Sequence, residues 1–109
     1  MVGCMELYKK EFSAEFLLGF ELKQFDYLID KSWHNDLCPS FYFSIGSQFF
    51  ILWVDYPLDE EREENTQRYT IVKASNEGCT EFPELYSVDE VLFEDNSAEE
   101  LIKYLSRVK

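Results

Sequence analysis

Three residues in one short turn, His34, Asp36 and Cys38 in WHNDLCPS, are the side-chain types from which a thiol nucleophile, its base and an orienting carboxylate are built. His34 is the only histidine in 109 residues. The chemistry needs the imidazole within hydrogen-bond reach of the thiol and a third group holding the ring, and close spacing in a proline-containing turn guarantees neither. A partly exposed histidine and a small apolar cysteine are the plainer reading, so no catalytic residue is assigned. A small Cys/His enzyme stays open as an alternative, with selective alkylation of Cys38 near neutral pH as its signature.

The second candidate is DYPLDEEREEN, residues 55–65, where Asp59, Glu60, Glu61, Glu63 and Glu64 are interrupted only by Arg62 and follow directly on the apolar run FFILWV. Carboxylates are the ligands calcium prefers, but the alternation and the central glycine of an EF-hand loop are missing. The paired carboxylates of a glycosidase sit in a cleft with one pKa raised by burial, and a contiguous exposed run is the wrong setting. The chain contains no glycine-rich phosphate loop, G-x-S-x-G, H-E-x-x-H or dinucleotide fingerprint. No cofactor and no metal are expected, and what remains for the run is binding.

Charge narrows the partner. The net charge is −12, and residues 55–100 alone place 15 acids against Arg62, Arg68 and Lys73. Such a field repels nucleic acid, whose affinity for proteins rests on Lys and Arg neutralising phosphates, and it repels anionic lipid surfaces. It attracts a basic protein, and steering by charge raises association rates to about 10⁸–10⁹ M⁻¹s⁻¹ at low salt. Cys4, Cys38 and Cys79 are odd in number and far apart, which suits reduced cysteines in the cytoplasm better than a disulfide framework or a zinc site. The Gly-Cys pair in MVGCMEL lacks the apolar stretch of a secretion signal, and no run approaches the ~20 apolar residues of a membrane-spanning helix. A soluble cytoplasmic protein is expected.

The elements that must position these residues fit one domain over residues 1–109. An apolar fraction of 46% with 17% aromatics argues against disorder despite the charge. Leu18, Leu22, Phe25 and Ile29 fall on one helical face, which predicts a helix from Ser13 to about Lys31, with Gly19 as its weak point. FYFSIGSQFFILWVDY reads as a hairpin of strands 41–45 and 48–56 joined by a type II′ turn at Gly46-Ser47. That register puts Phe41, Phe43, Ile45, Phe50, Leu52 and Val54 on a core face, and Tyr42, Ser44, Phe49, Ile51, Trp53 and Asp55 on the other. RYTIVKA at 68–74 and LYSVDEVLFE at 85–94 complete the sheet. Ser97 and Glu100 form a capping box for a final helix. The expected class is α+β, a mainly antiparallel sheet of about four strands with an N-terminal and a C-terminal helix. The Tyr42, Phe49 and Trp53 face is either covered by the first helix or open as an aromatic platform with a charged rim.

SWHNDLCPSFYF at 32–43, FILWVDYPLDEERE at 50–63 and RYTIVK at 68–73 resemble, together with the size, acidity and layout, the small bacterial immunity proteins of contact-dependent growth inhibition and related polymorphic-toxin systems. The resemblance implies a cytosolic protein that binds and blocks the toxin domain of its own strain's effector, commonly a nuclease. Such families diverge at their binding surfaces, so no residue is carried over by position. From charge and pattern alone, Asp55, Asp59, Glu60, Glu61, Glu63 and Glu64 are expected at the partner surface, with Tyr56 or Trp53 as anchors. A cytosolic adaptor for another basic partner shares every one of these features.

Overall fold

The Gly46-Ser47 turn sets the register on which the fold is built. Gly46 has φ +61° while among the described residues no non-glycine residue has a positive φ, the pattern of a type II′ turn with glycine in first position. It joins Ser40–Ile45 to Gln48–Val54 with Ile45 opposite Gln48, Phe43 opposite Phe50 and Phe41 opposite Leu52, as the sequence predicts. The structure is a computed structural model, and it describes residues 7–58, 60, 62, 67–79 and 83–108.

In chain order the elements are α1 (Leu7–Glu11), a 3-10 turn (Leu22–Gln24), β1 (Ile29–Asp30), β2 (Ser40–Ile45), β3 (Gln48–Val54), β4 (Tyr69–Asn76), β5 (Leu85–Asp95) and α2 (Ala98–Val108). The five strands form one antiparallel sheet in the order β1-β2-β3-β4-β5, each paired with its neighbour in sequence. The class is α+β, with one strand more than the sequence predicts. β5 pairs with β4 through two register shifts, at Ile71/Val72 and Val72/Ala74. Such irregularities twist a strand and discourage further pairing along an edge.

One face of the sheet carries the core. Phe41, Phe43, Leu52, Val54, Tyr69 and Ile71 are buried there against Tyr8 of α1, against Phe16, Leu18, Phe25 and Leu28 of the N-terminal segment, and against Leu101 and Leu105 of α2. Full burial of each such side chain contributes about 1.5–3 kcal/mol. The Ser97 side chain caps α2 by accepting from the Glu100 N–H at 3.3 Å. Only half of the expected capping box closes. The Ser97 N–H donates to Asp95 at 2.7 Å, and the Glu100 carboxylate instead meets Lys103 at 3.3 Å.

The helix expected over 13–31 does not form. Gly19 has φ +87°, which a right-handed helix cannot accommodate. Beyond it, Phe16, Phe20 and Tyr27 need burial in directions that one helical stripe cannot serve: Phe16 meets Tyr8, Phe20 meets Tyr69, and Tyr27 meets Phe43. The segment therefore wraps over the sheet irregularly, and side chains replace part of its lost backbone bonding. The Tyr69 hydroxyl donates to the Leu18 carbonyl at 2.6 Å and Arg68 Nη2 to the Leu17 carbonyl at 2.8 Å. Ile29, placed by its spacing on the helical face, pairs instead as β1 opposite Tyr42.

A Cβ on Gly19 would collide with the Tyr69 hydroxyl, whereas one on Gly46 would meet nothing. Gly19→Ala is expected to destabilise by about 2–4 kcal/mol, from backbone strain and the displaced hydrogen bond. Gly46→Ala should cost only the backbone share, about 1–2 kcal/mol. Equal losses in denaturant unfolding would show that the Tyr69–Leu18 contact contributes nothing.

Candidate functional site

Both helices and the N-terminal wrap pack on the same side of the sheet, so among the described residues the opposite face has no helix over it. Register alone places the side chains on that face. Ile29, Tyr42, Ile51, Val72 and Val91 stand opposite one another from strand to strand and form an apolar band across all five strands. A neighbouring row runs Ser40, Trp53, Thr70 and Glu94, and on the other side Phe49 stands beside Ala74. Ile51, Val72 and Ala74 are buried beneath their own neighbours, while Ile29 and Val91, at the two ends of the band, are 49% and 55% exposed. Tyr42, Phe49 and Trp53 are each half-buried on this face.

At the Trp53 end of the face, the connector between β1 and β2 lies beside the ends of β3 and β4 and encloses a cavity of about 380 Å³, whose walls include Asp36, Leu37, Cys38, Trp53, Asp55 and Thr70. The connector is fixed from several sides. The buried Ser32 and Ser40 satisfy each other, with the Ser40 N–H donating to Ser32 Oγ at 3.2 Å. Asp30 accepts from the N–H groups of Tyr8 and Ser32, and Val54 N–H donates to the Pro39 carbonyl. Lys31 Nζ lies 5.2 Å from the Trp53 ring centre and 3.3 Å from Ser40 Oγ. Burial of this ammonium lowers its pKa, against the pull of Asp36.

The residues expected at a partner surface separate into three groups. Trp53 and Asp55 share the cavity, and Asp55 continues the β3–β4 ladder by donating its N–H to the Arg68 carbonyl at 2.7 Å. Tyr56 turns to the core side, half-buried, with its ring 5.1 Å from Phe16. Glu60 is exposed, whereas Asp59, Glu61, Glu63 and Glu64 lie outside the described residues. The cation that interrupts the acidic run has a local task. Arg62 donates to the carbonyls of Tyr56 and Pro57 at 2.9 and 3.3 Å and to Asn96 Oδ1 at 3.1 Å, and Asn96 Oδ1 also accepts from the Arg68 N–H. Arg62 and Asn96 together clasp the base of the acidic loop.

His34 and Cys38 are engaged separately. His34 presents both its backbone N–H and Nδ1 to one oxygen of Glu11, at 3.0 and 2.9 Å, which ties α1 to the connector; this hydrogen bonding holds the Glu11 carboxyl below its ordinary range. Cys38 is buried, and desolvation, reinforced by the charges of Asp55 and Asp36 and partly offset by a hydrogen bond with the Val54 backbone, pushes its thiol up to about 12. A thiol so placed carries almost no thiolate at neutral pH, the reverse of an activated nucleophile. Among the described residues, no three His, Cys, Asp or Glu side chains converge as metal ligands, and no helix is long and apolar enough to cross a membrane.

Sequence reasoning missed Ile29, Val72 and Val91 as one surface and missed Asp36 and Leu37 as neighbours of Trp53. Alternation in β4 contained the signal for Val72. Nothing local could align Val91 across the two register shifts. Comparison of the chain with protein-family models, curated proteins and solved structures finds no match.

The Cys38 environment sets an alkaline limit. A thiol with its pKa raised on folding contributes stability that is complete below the ordinary value of 9.0 and is lost as pH rises towards 12. In a Cys4→Ser background, an alkylating reagent below pH 9.0 should label the exposed Cys79 and spare Cys38, and Cys38→Ala should flatten the fall in stability above that pH. Labelling of Cys38 at the rate of Cys79 in the folded protein would contradict the assignment.

Proposed function

We propose that this chain is an acidic protein of the immunity type, which binds a cognate toxin domain, a nuclease by preference, and covers its cationic site with the helix-free face and the acidic loop beside it. The observation that carries the reading is the apolar band from Ile29 to Val91, exposed at its two ends and buried at Ile51 and Val72, on a face over which no helix packs among the described residues. Apolar surface exposed at Ile29 and Val91, continued by the half-buried Tyr42, Phe49 and Trp53 and edged by acids, is the kind of patch that docking sites use.

Charge selects the occupant. A second copy would bring −12 against −12, and like charges brought together suppress association. A nuclease, by contrast, must hold phosphates and is cationic around its site. The division of roles follows from chemistry. Trp53 at the cavity and the neighbouring Tyr42 and Phe49 supply the aromatic centre where binding energy concentrates. Asp55 is the acid placed for a desolvated contact, and Asp59, Glu60, Glu61, Glu63 and Glu64 steer the approach from the rim. No covalent step is assigned to any residue, and the protein acts in the cytoplasm, where such a toxin does its damage.

The test is association with the toxin domain encoded beside the chain, followed by stopped flow at two salt concentrations. Charge reversal at Glu60, Glu61, Glu63 and Glu64 should slow association and reduce its salt dependence with little change in dissociation or fold stability, because rim charges act through the encounter rate. Trp53→Ala should act on dissociation and cost about 2 kcal/mol or more of binding. An unchanged rate and salt slope in the quadruple variant would remove the acidic loop from the mechanism. Full affinity in Trp53→Ala would remove the face.

A further inference from the structure

The connection that carries the acidic run is anchored to the sheet at one side-chain oxygen. Asn96 Oδ1, between β5 and α2, accepts from the Arg68 N–H at 2.9 Å and from Arg62 Nη1 at 3.1 Å. An amide oxygen has two lone pairs, and both are used here. The first bond continues the sheet. The β4–β5 ladder ends with Tyr69 opposite Asp95, and one residue further on Arg68 meets the side chain of Asn96. The Arg68 carbonyl in turn accepts from the Asp55 N–H at 2.7 Å, just past the end of β3. The second bond reaches the loop, because Arg62 also donates to the carbonyls of Tyr56 and Pro57, at 2.9 and 3.3 Å.

We infer that Asn96 is a positioning residue for the partner site: its one oxygen fixes the strand end that bears Trp53 and Asp55, and ties Arg62 of the acidic run to that end. It acts through Arg68 and Arg62. The role rests on the docking reading above and names a residue outside the face on which that face depends.

Both bonds to Asn96 are exposed, so they add little to global stability. What they set is local order. A strand end opens more readily once its last bonds are lost, and a surface that must be ordered on binding gives up affinity for that ordering. The placement of Arg62 has the same logic. An arginine inside a run of acids lowers the field which that run can offer, but only a donor can bind the Tyr56 and Pro57 carbonyls, and an ionised carboxylate is not one. Loss of the tether and loss of charge are therefore separable. The encounter follows the charge, which Asn96→Ala leaves unchanged, whereas retention follows the ordered strand end.

Amide hydrogen exchange of the full chain reads the tether without a partner. In Asn96→Ala the Asp55 N–H, which Asn96 does not itself touch, should exchange at least about tenfold faster while the denaturant midpoint scarcely moves. Asn96→Asp keeps an acceptor oxygen for both donors and should restore slow exchange. Ser97→Ala removes the α2 cap one residue away and should leave the Asp55 N–H as in the wild type. In the complex with the toxin domain encoded beside the chain, Asn96→Ala should dissociate about tenfold faster with an unchanged association rate and salt slope. Asn96→Asp and Ser97→Ala should dissociate as the wild type does.

Unchanged Asp55 exchange in Asn96→Ala, a loss that Asn96→Asp does not restore, or an equal loss in Ser97→Ala would each overturn the role of Asn96. A chain that binds its toxin domain with the same dissociation rate in Asn96→Ala loses the positioning role alone. One that binds no toxin domain loses the reading of function, while the exchange measurement still decides whether Asn96 fixes the strand end.

Discussion

Where the chain lays residues 13–28 determines everything else about this molecule. The hold on that segment is a pair of side-chain hydrogen bonds from the start of β4, Tyr69 to the Leu18 carbonyl and Arg68 to the Leu17 carbonyl, made around a glycine in left-handed conformation. The Tyr69–Leu18 bond is buried, and leaving that carbonyl without a partner would cost about 1–3 kcal/mol, so the segment does not leave this position cheaply. By covering the same side of the sheet as α2, it completes one core and, among the described residues, leaves the second face without a helix over it. Tyr27, whose hydroxyl donates to the Leu105 carbonyl at 2.7 Å, ties the same wrap to α2.

A one-sided core has a consequence for charge. The interior is built almost entirely from aromatic and aliphatic side chains, and the polar groups buried in it pair locally, as Ser32 with Ser40. The acids lie outside it, on the connector, the loops, the edge strands and the helices. Three of the cations hold the fold locally: Arg62 and Arg68 donate to backbone carbonyls of the acidic loop and the N-terminal wrap, and Lys31 donates to the Ser40 hydroxyl beside the connector. The surface is acidic because 22 acids stand against 10 Lys and Arg, and this field is the ground on which a basic partner is proposed.

The central hairpin was legible because two independent signals agreed, the alternation of Phe41 to Val54 and the Gly-Ser turn. α2 was legible from its 3.6-residue spacing and from Ser97, and its buried Leu101 and Leu105 lie where that spacing puts them. The N-terminal helix was misread because aromatic residues packed irregularly happen to fall at helical spacing, and Gly19, counted as a weakness, in fact ends the possibility. Of the candidate site, Trp53 and Asp55 were visible by their position at a strand end. Asp36 was seen only beside His34 and Cys38, because the cavity wall it shares with Asp55 joins residues far apart in sequence. Tyr56 sits on the other side of the sheet from Trp53, as alternation beyond Val54 requires.

The central claim is that the face opposite the helices, and not the helical side, meets the proposed partner. Backbone and indole resonances of the chain titrated with a cationic toxin domain report this directly. The account predicts perturbations gathered on Tyr42, Phe49, Trp53, Thr70, Val91 and the 35–38 connector, with α2 left unmoved. Perturbations gathered on α2 and the N-terminal wrap, with Trp53 unchanged, would contradict it.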